Sequence, residues 1–295
     1  MLAGMVMGEA LGVIFHGYRE FFANPKTWAV LAFIVAFTAL ACAIGLRGRV
    51  LSAAALRNTG ATFAVLAVNL LLAPVVYVIA GRMLSFYASL GVPSLPPSFW
   101  AGMPWIVIAL AGLAAKDFAD YWSHRLLHTP LFWPIHAVHH SDTHVNGFTT
   151  FRVHVLELVV MNISYIALLT CLGIPSEIIA VAYVFASMHN AYIHFEIDID
   201  HGPLNWLVAS PRFHRWHHAD YPPAYGKNLA NMIPLYDVVF GTYYRAGPCL
   251  EKMGAEREGI SGTDAARLVL LPFALWMRRA GQGLRSLRRL VKPLS

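Results

Sequence analysis

"HRLLHTPLFWPIHAVHH" (residues 124–140) places five histidines in seventeen positions of a chain that has only 14 in its 295 residues. His124 and His128 stand at i and i+4, one turn apart on one helix face. His136, His139 and His140 follow at i, i+3 and i+4, a spacing at which three imidazoles can converge. The same pattern returns in "HRWHH" with His214, His217 and His218, and "MHNAYIHFEI" adds His189 and His194. The i, i+5 interval of that last pair does not share one face of a regular helix, so a local break is needed if both point inward.

A lone histidine in an apolar segment, such as His16 or His201, reads as a hydrogen-bonded core residue. Eight imidazoles in three spaced sets do not. They are costly to bury neutral and repel one another when charged. Metal coordination resolves both problems, and eight to ten nitrogen ligands are too many for one ion, so a two-metal centre is expected. Imidazole suits zinc, iron, copper and nickel. A structural zinc site closes with four ligands, usually including cysteine, and a hydrolytic zinc helix reads HExxH, which the chain lacks. Two ions held by many neutral histidines point to redox-active iron with open positions for dioxygen. Asp117 and Asp120 lie about two turns and one turn before His124 on the same face, where acids can orient a ligating imidazole. Asp142, Glu157, Glu196 and Asp220 closely follow other histidines.

Composition sets the surroundings. Hydrophobic residues make up 57% and charged residues 13%, about half the ~25% charge of a soluble domain. Apolar runs at 27–46, 61–81 (with Pro74 as a kink), from about Pro104 toward Asp117, at 156–174 and at 176–193 approach the ~20 residues of a bilayer span. The last two, separated by so short a break, are expected to be an antiparallel hairpin. The fold expected is therefore an all-α integral membrane protein with four to five transmembrane helices. A cytoplasmic helical cap carries the histidine-rich dimetal site. Arg47, Arg49 and Arg57 follow the first span and only Arg82 follows the second, which places 47–60 in the cytoplasm and 82–103 outside. Residues 120–155 and 194–295 then also face the cytoplasm, so all the clustered histidines land on one side of a multi-pass protein. The apolar N-terminus is broken by Glu9 and His16 without a basic region before it, so no cleavable signal is expected. Cys42, Cys171 and Cys249 share no metal-binding spacing and imply no disulfide framework. Much of the +6 net charge sits between Arg278 and Lys292, with apolar residues at helical spacing. This tail reads equally as an interfacial helix on an anionic leaflet or as a topology signal, and no nucleic-acid partner is expected. Tyr121, Trp122, Phe132, Trp133 and Trp216 crowd the boxes, either lining the path of a substrate or anchoring helix ends at headgroup level.

"DFADYWSHRLLH" (117–128), "HAVHHSD" (136–142), "TTFRVHVLE" (149–157) and "SPRFHRWHHAD" (210–220) together resemble the fatty acid hydroxylase / sterol desaturase superfamily. "YDVVFGTYY" (236–244) resembles that superfamily's C-terminal signature. The resemblance runs from about Pro104 to Arg245 and divides the chain into three. Residues 1–100 are an N-terminal membrane segment with two spans, 101–245 a catalytic domain, and 246–295 a basic amphipathic tail. It implies a non-haem diiron membrane enzyme that uses dioxygen and two electrons to hydroxylate or desaturate a lipid C–H bond. By motif position His124, His128, His136, His139, His140, His214, His217 and His218 match the ligand histidines. His194 falls where many bacterial members have a histidine followed two residues later by asparagine. Glu196 stands in place of that asparagine, where a carboxylate alters the surroundings of the ligand or itself reaches a metal. His189 is the candidate companion ligand of His194. His154 matches a histidine that recurs after an arginine, and ranks with Asp117, Asp120 and Glu196 as a metal or outer-shell candidate.

The substrate class stays open among fatty acyl chains, sphingolipids, sterols and related isoprenoids, as does the choice between hydroxylation and desaturation. No haem or flavin fingerprint is visible, so a separate donor (a ferredoxin, cytochrome or reductase) must bring electrons. Membrane acyl desaturases carry similar boxes, but with the first two far apart, whereas seven residues separate His128 from His136 here. A divalent-metal transporter is the reading from a different class. It would place its ligands near the bilayer midplane within spans. A bis-histidine haem protein would leave most of these imidazoles without a role.

Overall fold

An apolar segment in lipid must satisfy its own backbone, and a helix does so residue by residue. The computed structural model describes residues 16–45, 52–260 and 262–290, and among them every regular element is helical, with one isolated bridge between Ala219 and Met253. Helices α1 (His16–Ala23) and α2 (Pro25–Gly45) meet at 59°, where Pro25 both ends one helix and starts the next. Helix α3 (Ala53–Ser89) begins at Ser52, whose side chain accepts from the Ala55 amide, and runs through Pro74 without a break. Its 37 residues span ~55 Å at 1.5 Å each, well beyond a ~30 Å apolar bilayer core. The two ends accordingly differ. Asn58, Thr62 and Val65 near the start are buried, whereas Leu71, Tyr77, Leu84 and Phe86 are exposed.

Helix α3 is the one described helix long and apolar enough to cross a membrane alone, and the bent α1–α2 pair passes the same test jointly. Helices α4 (Trp105–Leu127), α6 (Val155–Cys171) and α7 (Ser176–Ile193) complete the bundle. The expected α6–α7 hairpin is joined by a short turn, but the two helices do not form a packed pair, since α7 packs mainly on α4 and α6 about equally on α4 and α3. Small residues on α4 make room for this. Ala111 and Ala115 pack into the core around Ile108, Leu169 and Ile174, and a Cβ on Gly112 would already stand 3.3 Å from Ile178. The α6–α7 turn is pinned from the other side. Gly173 adopts φ +57°, and a Cβ there would strike the Leu95 carbonyl. The Leu95 amide donates to Cys171 O at 2.8 Å, and the Trp100 indole to Leu172 O at 2.7 Å.

Three short helices build the cap: α5 (Trp133–His140), α8 (Pro211–His218) and α9 (Leu235–Phe240). The long α10 (Ala265–Leu290) packs on α5 and α3. Leu268 joins Ala61, Val65 and Val138 in a buried cluster, and the Trp276 indole donates to Leu131 O at 2.8 Å. The tail is therefore part of the cap. Its other face, with Leu270, Phe273 and Met277, is exposed. The chain before α10 is tied in as well: the Asp220 amide donates to Lys252 O, and the Gly254 amide to His218 O. Arg47, Arg49, Glu9 and Lys292, which bear on the expected topology, lie outside the described residues.

Candidate metal centre

Each histidine owes its position to a helix end. His124 sits in the last turn of α4 and His128 is its C-cap. Ser210 caps α8 by accepting from the Phe213 amide, with Pro211 in the first turn, which fixes where His214, His217 and His218 fall. His194 is the C-cap of α7. That is the local break which the i, i+5 interval required, although it brings only one of the pair inward.

Nine of the histidines converge in two groups, each with its ligand atoms within 4.8 Å of one another. One group holds His124, His128, His136, His140 and His217, the other His139, His194, His214 and His218. The HxxHH spacing produces the division. On α5 the i, i+4 pair His136 and His140 serves the first group, and His139 turns to the second. On α8 the pair His214 and His218 serves the second group, and His217 turns to the first. Each of these two short helices thus contributes histidines to both groups.

The hydrogen bonds fix which nitrogen faces inward. His124 Nδ1 is 2.6 Å from Leu229 O, His217 Nδ1 2.8 Å from Lys227 O, His194 Nδ1 2.6 Å from Asn190 O, and His139 Nδ1 3.3 Å from Arg152 O. A carbonyl only accepts, so these Nδ1 atoms carry the proton and Nε2 carries the lone pair. Yet His194 Nε2 and His139 Nε2 lie 3.2 Å apart with no proton between them. His194 Nε2 is also 3.0 Å from His214 Nε2 and 3.2 Å from His218 Nε2. In the other group His124 Nε2 faces His136 Nε2 at 2.9 Å, and His140 Nε2 faces His217 Nε2 at 3.0 Å. Between His139 and His194, where both Nδ1 atoms sit on carbonyls, the facing lone pairs are repulsive unless a cation sits between them. Burial first, and neighbouring imidazoles second, push His140, His214 and His218 well below the ordinary imidazole range, and burial holds His194 down to about 4. The side chains are therefore neutral donors at pH 7. A donor set of neutral imidazoles without thiolate fits a borderline metal such as iron.

Around the groups stands an outer shell. Glu157 Oε1 lies 3.0 Å from His136 Nδ1, the arrangement in which a carboxylate orients a ligand. Asp117 accepts from the Met232 and Ile233 amides at 2.9 and 2.8 Å, and so holds the loop that carries Leu229. Asp120 pairs with Lys116 at 2.7 Å. His154 caps α6 by accepting from the Leu156 amide, with its other nitrogen at Val269 O. His189 and Glu196 lie outside both groups, Glu196 exposed and His189 with its Nε2 unpartnered. His201 is hydrogen-bonded to the Tyr192 hydroxyl and to Val208 O, as expected of a lone histidine.

Sequence reasoning missed two structural residues of the site. Arg152, fully buried, donates to Ser141 Oγ, Asn58 O and Gly262 O, and its own carbonyl receives His139. It links α3, the second box and the chain before α10. Asp237 accepts from the Leu229 and Ala230 amides at 2.8 Å each. Both residues stood inside quoted motifs, but an isolated charge beside apolar residues carries no sign of its partner.

Comparison with known proteins finds matches over the segment that carries these histidines. Residues 109–242 match the fatty acid hydroxylase family model. Human alkylglycerol monooxygenase is 34% identical over 128 residues, which cover 43% of this chain and 28% of that protein. Ornithine lipid hydroxylase OlsE of Rhizobium tropici is 29% identical over 152 residues, 50% of this chain and 45% of its own length. The very-long-chain aldehyde decarbonylase GL1-4 of Oryza sativa subsp. indica is 27% identical over 176 residues, 54% of this chain and 27% of its own. The chain thus spans less than half the length of these relatives. No solved structure matches it.

Proposed function

Proceeding from the fatty acid hydroxylase domain that residues 109–242 carry, we propose that the protein is a dioxygen-dependent non-haem diiron oxidoreductase that hydroxylates a C–H bond of a membrane lipid. The balance is R–H + O2 + 2e⁻ + 2H⁺ → R–OH + H2O. The Nε2 atoms that face one another at 2.9 and 3.2 Å within the two buried histidine groups carry this reading. Hydroxylation is preferred to desaturation because the more similar relatives are named a monooxygenase and a hydroxylase.

In this reading His124, His128, His136, His140 and His217 hold one iron, and His139, His194, His214 and His218 the other. Bound there, the pair would supply the two-electron reduction of dioxygen that C–H oxidation requires. The chain's own contribution is geometric and electrostatic. The carbonyls of Leu229, Lys227, Asn190 and Arg152 keep the proton on Nδ1 and the lone pair on Nε2 of the four histidines they hold. Glu157 orients His136. The buried surroundings of α5 and α8 keep water from His139, His194, His214 and His218. His154, Asp117 and Asp120 act through the scaffold, since each is engaged elsewhere. A bilayer position follows for the bundle, with α2, α3, α4, α6 and α7 in the membrane and the cap on the cytoplasmic side. There a separate ferredoxin, cytochrome or reductase delivers electrons.

Metal analysis and Mössbauer spectroscopy on protein purified without oxygen in mild detergent test this reading. The expected result is a pair of irons per chain that react with dioxygen, with His139→Ala and His217→Ala each losing metal and lipid oxidation, and His189→Ala keeping both irons. Zinc, or no oxygen-reactive metal after reconstitution with iron, overturns it and favours a metal-binding membrane protein.

A further inference from the structure

The two histidine groups differ in one respect that their shared ligand chemistry hides. His128, His140 and His217, all of the five-membered group, line a cavity of about 350 Å³. None of the four-membered group lines it. The volume falls at the small end of ligand sites, which run from ~300 to ~1,000 Å³.

The cavity exists because one wall is built of short residues. Ala219, Gly226, Gly254 and Ala255 stand there, and both glycines have positive φ, +65° and +112°, where a side chain would be strained. An aromatic ring, that of Trp133, lines it as well. The Trp133 ring lies 5.3 Å from His128 and 5.1 Å from His140, and its indole donates to Glu258 Oε2 at 2.7 Å. Tyr225, which donates to Asp220, and Arg279 of α10 complete the rim. Burial differs at one residue. All members of the four-histidine group and four of the five in the other are buried, and only His128 is partly exposed, with a buried Nε2 that has no hydrogen-bond partner. A metal site with every face closed by protein is structural in character, and one with an open face admits an outside ligand.

We infer that this cavity is the ligand-access site of the five-histidine group. Small donor molecules, and the reacting end of the substrate, approach past Trp133, Tyr225 and Glu258 and reach only that group, while the four-histidine group is sealed. The two groups are then chemically unequal. This rests on the two-metal reading proposed above.

Nitric oxide added to the ferrous holoprotein is the test, read by Mössbauer spectroscopy and stopped-flow absorbance rather than by turnover. The expected result is that half of the iron changes its spectrum. Tyr225→Ala, which widens the rim, should speed nitric oxide binding several-fold, and Ala255→Phe, which fills the cavity, should slow it several-fold with both irons retained. If Ala255→Phe does not hold iron, the Tyr225→Ala rate decides alone. A spectral change in all of the iron, or rates that neither variant moves, overturns the inference while leaving the diiron reading in place. A parent protein without a pair of irons overturns that reading, and this inference with it.

Discussion

The loop from Lys227 to Ile233 lends two carbonyls to the metal centre, and two carboxylates hold it in place. Lys227 O receives His217 and Leu229 O receives His124. Asp237 accepts from the Leu229 and Ala230 amides, and Asp117 from the Met232 and Ile233 amides. Replacing Asp237 with alanine leaves two buried amides without acceptors. Each such orphan costs ~1–3 kcal/mol, or ~2–6 kcal/mol for the pair. The Thr242 hydroxyl also loses its 2.6 Å bond to Asp237, but it keeps the Tyr121 hydroxyl at 2.8 Å, so it adds little. If some water reaches the loop, the lower half of the range applies, ~2–4 kcal/mol, equivalent to ~4–16 °C in Tm for a chain of this size.

The same substitution frees the Leu229 carbonyl, and with it the ring of His124. Loss of an outer-shell partner lowers metal affinity by ~10–100-fold. Thermal unfolding in detergent reads the first effect, and competition with a chelator reads the second. Asp237→Asn, which keeps one acceptor oxygen, should fall between parent and alanine variant in both. Combining Asp117→Ala with Asp237→Ala should cost less than the sum, by ~0.5–3 kcal/mol, because both carboxylates clamp one loop. An Asp237→Ala protein with parental Tm and parental metal affinity would refute the idea that this loop positions the ligands.

Acid should separate the metal-free and metal-loaded proteins. His194 is held down to about 4 when folded, from 6.5, so between these values the unfolded chain binds a proton that the folded chain lacks, and stability falls as pH drops through that window by up to ~3 kcal/mol for one such histidine. Chelator-stripped protein should therefore lose Tm steadily from pH 6.5 to pH 4, with the iron-loaded form higher throughout; a flat profile for the stripped form would contradict neutral, buried imidazoles. Gly173→Ala tests the bundle: αL backbone at a non-glycine residue costs ~1–2 kcal/mol, and the clash with Leu95 O adds to it. A lowered Tm with unchanged iron stoichiometry is expected, and an unchanged Tm would count against the pinned turn. Glu157→Gln should weaken retention of the iron in the five-histidine group by ~10-fold or more while sparing the other, as followed by stepwise chelation.

The clustering of the histidines was legible because imidazole is rare in apolar sequence and because i, i+3, i+4 spacing gathers side chains on one side of a helix. The bundle was legible from length: the apolar runs approach the ~20 residues of a bilayer span, and α2, α3, α4, α6 and α7 fall close to them. Two features were hidden. The straddling of α4 by α6 and α7 depends on Ala111, Gly112 and Ala115, which in sequence look like any other small residues of an apolar helix. The docking of α10 depends on Leu268, Leu271 and Leu275 meeting α3 and α5, a contact between segments about two hundred and one hundred and thirty residues apart, and hydrophobic pattern names a face without naming what covers it.

The outer shell was hidden for a more basic reason. Acids at helical spacing from His124 were the natural candidates to orient ligands, yet Asp120 pairs with Lys116 one turn earlier, which lowers the cost of both charges inside the bundle. Four of the histidines are oriented instead by backbone carbonyls, at Leu229, Lys227, Asn190 and Arg152. A carbonyl is present at every residue, so nothing in the sequence marks the ones that matter. The side chains that hold the Leu229, Lys227 and Arg152 carbonyls still are Asp117, Asp237 and Arg152, each buried and each engaged with backbone. It follows that substitutions at these three residues, none of which belongs to either histidine group, should impair metal binding in proportion to how far they free a carbonyl. A charge-preserving Arg152→Lys should therefore fail too, because one ammonium cannot reach Ser141, Asn58 and Gly262 in the fixed geometry of a guanidinium. Lysine at 152 with parental iron content would show that the charge, and not the fork, is what holds His139 in place.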